Sequence, residues 1–250
     1  VEGKTGPGDV LVNGTISEAS KYAEIDLDIT SRQTPLNSDL LAALPERYKA
    51  IFTQFNPSGF ADTRIRLYQP YGEDQPWKTD ITARLFETSA TYRAFPYTID
   101  HLGGTLVLKN NLLKLNNITG RHGSAHLTLA GSVDRINTPN PDVQLEIFTK
   151  NVCIDEDLVK VLPESTRKMV DDCNLKGKAE IRGEIVKRPN TALEYRFDCT
   201  LSDGSVCYHD FPYPIDGLAG RFIVAPGSVQ IKQFVSAHDS RKILAAGTVD

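Results

Sequence analysis

The stretch FPYTIDHLGG, beginning at Phe95, returns as FPYPIDGLAG at Phe211, with seven of ten letters unchanged and an offset of 211 − 95 = 116 positions. Extended without a gap to Asp134 and Asp250, the alignment keeps 13 identities in 40 positions, among them His122 with His238, Ser124 with Ser240 and Gly131 with Gly247. Upstream the offset becomes 118. DLLAALPERYKAIF at Asp39 then aligns with DLVKVLPESTRKMV at Asp157, and Asn56, Gly59, Ala61 and Arg64 align with Asn174, Gly177, Ala179 and Arg182. The offset changes within QPYGEDQPW, Gln69 to Trp77, whose Gly and Pro mark a loop of variable length. A chain written this way must build one unit twice. The expected division is residues 1–13 as the end of a preceding repeat, 14–131 as the first unit, and 132–250 as the second, ending at the start of a further one. The unit is far longer than the roughly 20–50 residues of common solenoid repeats. It can still stack end to end, each copy touching mainly its neighbours.

Each unit is mostly strand. AEIDLDITS sets Ile25, Leu27 and Ile29 against Glu24, Asp26 and Asp28. SAHLTLAGSV does the same with Leu127, Leu129 and Val133, VQLEIFTK with Val143, Leu145 and Ile147, and LEYRFDCTL with Tyr195, Phe197 and Cys199. Period-two alternation with one polar face is the mark of antiparallel sheet wet on one side. The exception is NSDLLAALPERYKAIFTQF, where Leu40, Leu44, Tyr48, Ile51, Phe52 and Phe55 follow helical spacing. Asn37 or Ser38 can cap its start. The repeated LPE breaks it, with Pro45 and Pro163 opening a second short helix. One helix pair for about seven strands is too little to cover a sheet, so it plugs an end or lies across one part. The repeated FPY phrase reads as a corner: Pro96 and Pro212 suit the start of a strand, and Asp-x-Leu-x-Gly reads as a turn with Gly104 and Gly220 supplying a permissive backbone.

A one-sided sheet with so little helix must close its apolar face in another way. It can curl on itself, pack on a second sheet, or hold lipid tails, each buried methylene of which is worth about 0.8 kcal/mol. The fold class expected is therefore mainly β with a short helical segment per repeat, as two tandem repeats of antiparallel strands. A closed sandwich core and an open groove give the same alternation, and the residues alone lean slightly to the closed core.

Composition narrows the class. Forty per cent hydrophobic and 24% charged residues describe a folded chain, and a net charge of −4 lacks the basic field that nucleic acid requires. There is no run of 18 or more apolar residues and no leader. The chain opens and stops in mid-phrase, as a piece of a longer protein does.

FPYPIDGLAGRFIVAPGSVQIKQFVSAHDSRKILAAGTVD and its partner FPYTIDHLGGTLVLKNNLLKLNNITGRHGSAHLTLAGSVD resemble the strand grammar of the bacterial AsmA-like superfamily, which includes TamB-related envelope proteins. The resemblance covers both units and carries no catalytic motif. It implies a long curled sheet with an apolar groove, in the periplasmic part of an inner-membrane-anchored protein. The implied role is conducting phospholipid between inner and outer membranes or supporting outer-membrane assembly. Phospholipid or another acyl lipid is the expected partner, with envelope proteins at the ends of the parent chain. The groove candidates are Ile25, Leu27, Ile29, Leu127, Leu129, Val143, Leu145, Ile147, Tyr195 and Phe197. The alternative is a non-catalytic scaffold or partner-binding spacer of the envelope with a closed core.

No enzyme, metal or cofactor is expected. His122 and His238 precede Ser124 and Ser240 by two residues in a turn, where a proton relay does not assemble, so they read as turn-stabilising. No Gly-x-Ser-x-Gly, His-Glu-x-x-His or Cys-x-x-Cys occurs. Glu24, Asp26 and Asp28 alternate along a strand, too spread to gather one calcium ion. All four cysteines fall in the second unit. Cys199 and Cys207 flank LSDGS and are a candidate disulfide across a hairpin; Cys153 and Cys173 flank the helical segment and would bond only if it folds back at Pro163.

Overall fold

The computed structural model describes residues 2–5, 8–17, 22–238 and 241–249. Among them fourteen strands form one antiparallel sheet in which each strand pairs with its sequence neighbours. The order is β1 (Glu2–Thr5), β2 (Gly8–Ser17), β3 (Glu24–Pro35), helices α1 (Ser38–Ala43) and α2 (Glu46–Phe55), β4 (Ser58–Gln69), β5 (Lys78–Tyr92), β6 (Phe95–Lys109), β7 (Leu112–His122) and β8 (Ala125–Asp134). It continues with β9 (Asp142–Cys153), α3 (Glu156–Val161), α4 (Glu164–Asp172), β10 (Lys176–Lys187), β11 (Glu194–Tyr208), β12 (Phe211–Ala225), β13 (Ser228–His238) and β14 (Arg241–Val249).

From β3 to β8 and from β9 to β14 the elements recur in the same order. β3 and β9 have 12 residues each, β4 and β10 have 12, β5 and β11 have 15, β6 and β12 have 15, and β7 and β13 have 11. The backbone repeats more finely still. Left-handed φ values occur at Gln33 and Asn151, Asn56 and Asn174, Gly59 and Gly177 (offset 118), and at Glu87 and Asp203, His101 and Gly217, Asn111 and Gly227 (offset 116). Most sit at bulges or turns, where an extra residue bends the strand. Gly59 cannot be anything larger: a Cβ there would lie 2.2 Å from the Glu87 carbonyl oxygen.

Helix signals act locally as written. Asn37 accepts hydrogen bonds from the amides of Asp39 and Leu40, and Asp155 caps α3 through the Leu158 amide. Leu44 and Leu162 end the first helices with ψ of 143° and 149°, forced out of the helical region by the proline that follows. Pro45 and Pro163 are the N-caps of α2 and α4, one position before the first helical residue expected for them.

Two expectations are corrected. The sheet is mainly β but is flat and open, not closed and not strongly curled. Curling brings strands that are far apart in the order face to face, whereas here the extensive strand contacts are between neighbours. The helices supply part of the reason. They stand over one end of the apolar face and bury that strip, so the sheet covers it without rolling. The second correction is the Asp-x-Leu-x-Gly turn. Phe95–Lys109 is a single strand, and the turn precedes it at Arg93 and Ala94. Register shifts between Leu85 and Thr88 and between Thr88 and Ala90, with His101 at φ 50° and Gly104 at φ 117°, absorb the extra residues as bulges.

Many of the buried strand residues form a strip at the helical end, while Ile223 and Val229 are buried at the opposite end, by the β12–β13 turn. Ala61, Thr88, Leu102 and Ile118 lie in the strip in the first half, Ala179, Leu201 and Leu218 in the second, and Ala125 and Val152 between. Ala125, Val152 and Ala179 form one core cluster onto which Leu158 of α3 packs. In the first half, Phe55 at the end of α2 stacks on Tyr92 with ring centroids 5.1 Å apart, and the Arg93 amide donates to the Gln54 carbonyl.

Candidate functional site

Residues directly opposite each other in neighbouring antiparallel strands share a face, so the register tells which side chains line up. One row runs Ile29, Ile65, Ile81, Leu108, Leu113, Val133, Val143. A second runs Leu106, Leu115, Gly131, Leu145, Ile185, Tyr195. A third runs Leu129, Ile147, Gly183, Phe197, Val224. Leu127 connects through Thr149 and Ile181 to Cys199, while Ile25 and Leu27 stand on the same side of β3 as Ile29. All ten candidate residues therefore share one face of one sheet. Each is half-buried and none is fully buried, because among the described residues the face has helices over its end and no second layer over its middle.

Several members of these rows are missing from the candidates read from sequence: Ile65, Ile81, Leu108, Leu113, Leu115 and Ile185. The signal was present. TRIRLYQ, DITARLF and LLKLNN alternate as clearly as the stretches chosen. Only cross-strand register says which of their residues extend the same rows.

The opposite face is charged. Arg66 makes two hydrogen bonds to Asp26, the shorter 2.7 Å, and Arg64 chelates Asp28 in the same way. Lys109 pairs with Asp80, Arg188 with Asp142, and Arg221 with Asp198. Tyr68 donates to Glu24 at 3.0 Å. The hydrogen-bonded guanidiniums hold the Asp26 and Asp28 carboxyls below the ordinary carboxylate range. The acidic row of β3 is thus matched on β4, Asp26 and Asp28 by arginines and Glu24 by a tyrosine hydroxyl. Among the described residues no group of three or more His, Cys, Asp or Glu is placed to hold a metal ion.

His122 stacks on Tyr97 with centroids 3.8 Å apart and donates from Nδ1 to the Thr98 carbonyl at 2.7 Å, while Ser124 donates to the Asn151 carbonyl and touches the Cys153 thiol at 3.3 Å. These contacts tie β6, β7 and β9 together. The His238 side chain lies outside the described residues. A polar hollow between β5, β6 and β7 is lined by Glu87, Ser89, Asp100, His101, Arg121 and Gly123; within it His101 meets Glu87 at 3.1 Å and Ser89 donates to Asp100 at 2.7 Å.

The cysteines depart from the sequence reading. Cys199 and Cys207 lie on one continuous strand, β11, with no hairpin between them. Eight residues at about 3.3 Å each put them roughly 26 Å apart, far beyond the roughly 7 Å Cα limit of a disulfide. LSDGS looks like a turn but is strand, because Asp203 at φ 51° and the register shifts around Gly204 absorb it as bulges. All four cysteines are free thiols. Burial and the charge of Asp198 push the Cys199 thiol up to about 12.

No helix among the described residues is long and apolar enough to cross a membrane. Family models, curated proteins and solved structures yield no match to this chain, so the strand grammar shared with AsmA-like proteins stands as a resemblance and no family is assigned.

Proposed function

We propose that the chain is a lipid-binding segment of a bacterial envelope protein, whose open apolar sheet face takes the acyl chains of phospholipid on its way between membranes. The observation that carries this reading is the continuity of that half-buried face, row beside row from β3 to β12, with none of the described residues layered over its middle. Contiguous exposed apolar patches of more than a few hundred Å² are rare in monomeric proteins and mark interaction surfaces. An acyl chain suits this one because the rows offer branched aliphatic contacts with few polar groups to satisfy. The charged face, with its cross-strand ion pairs, keeps the other side in water. In this reading the protein works as a surface and not as a catalyst. The segment sits in the periplasmic part of an inner-membrane-anchored parent, with other envelope proteins meeting that parent at its ends.

The test is direct. Purified protein, examined by native mass spectrometry and by solvent extraction with chromatography, carries phospholipid. Leu27→Asp and Leu145→Asp lose it while remaining folded, since both positions lie on the open part of the face. Lipid retained by the folded Asp variants removes these residues from the binding face. Absence of lipid from the native protein, with loss of the fold in Leu145→Asp, favours a spacer whose apolar face is covered by a protein partner.

A further inference from the structure

We infer that Cys173 and Cys207 form a disulfide site that locks the second helix pair onto the sheet. The inference is independent of the lipid reading. The Cys207 amide donates to the Cys173 carbonyl at 2.8 Å, and the His209 amide donates to the Asp172 carbonyl at 2.9 Å. These two bonds hold the end of α4 against the end of β11. With a 2.8 Å N···O contact, one N–Cα bond and one Cα-to-carbonyl-oxygen span, the two Cα atoms are at most about 6.7 Å apart. A disulfide spans Cα separations of about 4.4–6.8 Å. The Cα separation thus falls within the range a disulfide spans. Both residues are partly exposed, so an external oxidant reaches them. Cys199 is buried 3% exposed near the middle of the strand, and the Cys153 thiol is engaged by Ser124.

The first half shows what the pair replaces. There the bond matching His209 to Asp172 recurs, Arg93 amide to Gln54 carbonyl at 2.8 Å, and the positions matching Cys173 and Cys207 are Phe55 (173 − 118) and Thr91 (207 − 116). Phe55 secures its helix by stacking on Tyr92. Cys173 is too small for that contact with Tyr208, and its helix is secured by a bond to the neighbouring cysteine.

The reaction is thiol–disulfide exchange with a small-molecule or protein disulfide. One cysteine thiolate attacks the external disulfide, forming a mixed disulfide and releasing one thiol. The second cysteine thiolate attacks the protein sulfur of that mixed disulfide and releases the other thiol. The protein gives up two protons and two electrons, and the external disulfide takes them up as two thiols.

The experiment uses the full chain with excess oxidised glutathione, followed by alkylation of remaining thiols, digestion and mass spectrometry with fragmentation. The expected product has Cys153 and Cys199 alkylated and a linked peptide joining Cys173 to Cys207. Cys153→Ser keeps the link, whereas Cys173→Ser and Cys207→Ser abolish it. Oxidation also slows amide exchange in α4 of the native protein and leaves α2 unchanged. Four alkylated cysteines, a link through Cys153 or Cys199, or a glutathione adduct at Cys207 that never resolves overturns the inference.

Discussion

The apolar face has two regions made of the same residue types in different surroundings. At the helical end, Leu201 is 1% exposed and Ala179 is 5% exposed. A few strand positions away, Leu145, Leu129 and Val143 are half-exposed. Alternation cannot distinguish them, because both regions read as apolar on every second residue. The helices make the difference, and they reach only one end. A sheet can thus keep a stable core strip while offering the rest of the same face to another occupant.

Side-chain deletion gives the largest expected contrast. Leu201→Ala costs about 2–5 kcal/mol, as core leucines do, whereas Leu145→Ala costs about 1 kcal/mol or less because its neighbours already meet solvent. Urea unfolding of the two variants measures this, and equal losses would erase the distinction between the regions. The next effect belongs to the cover itself. Leu158→Ala in α3 removes the side chain packed on Ala125, Val152 and Ala179, and is expected to cost about 2 kcal/mol. Amide exchange should then accelerate in the strip beneath and remain unchanged in β3 and β4.

The smallest effect is on the charged face. Asp26 and Asp28 have folded-state pKa values below the usual 3.8. Their contribution is present above the unfolded value and is lost as pH falls through the folded one. NMR titration should place both midpoints below 3.8, and added salt should raise them toward it. Midpoints at or above that value would mean that Arg64 and Arg66 do not pair with them in solution.

Much of this was legible because it is written locally. The repeat stands in the letters, the strands in period-two alternation, and the helix starts in Asn37 and the repeated LPE. The unreadable parts depend on bulges. Glu87, His101 and Asp203 take left-handed backbone without being glycine, and no sequence signal marks them. They turn the Asp-x-Leu-x-Gly and LSDGS stretches from expected turns into continuous strand. That moved Cys207 away from Cys199 and beside Cys173, a contact between a helix end and a strand end that no spacing displays. The flatness of the sheet was equally hidden, since alternation says which face is apolar and nothing about how far the face rolls. Ile65, Ile81 and Leu113 were missed for the related reason that rows are assembled by register, not by any one strand.

The central claim is that the open region of the face, and not the charged side, meets acyl chains. Trp77 is the single tryptophan of the chain, so Trp77→Phe provides a silent background. Into it go Leu145→Trp, on the apolar face, and Glu146→Trp, on the charged face one residue along β9. Phospholipid carrying a bromine or nitroxide quencher in mid-chain is then added to each protein. Strong quenching of the tryptophan at 145 with little at 146 is the predicted result; equal quenching at both positions, or none at 145, contradicts the account.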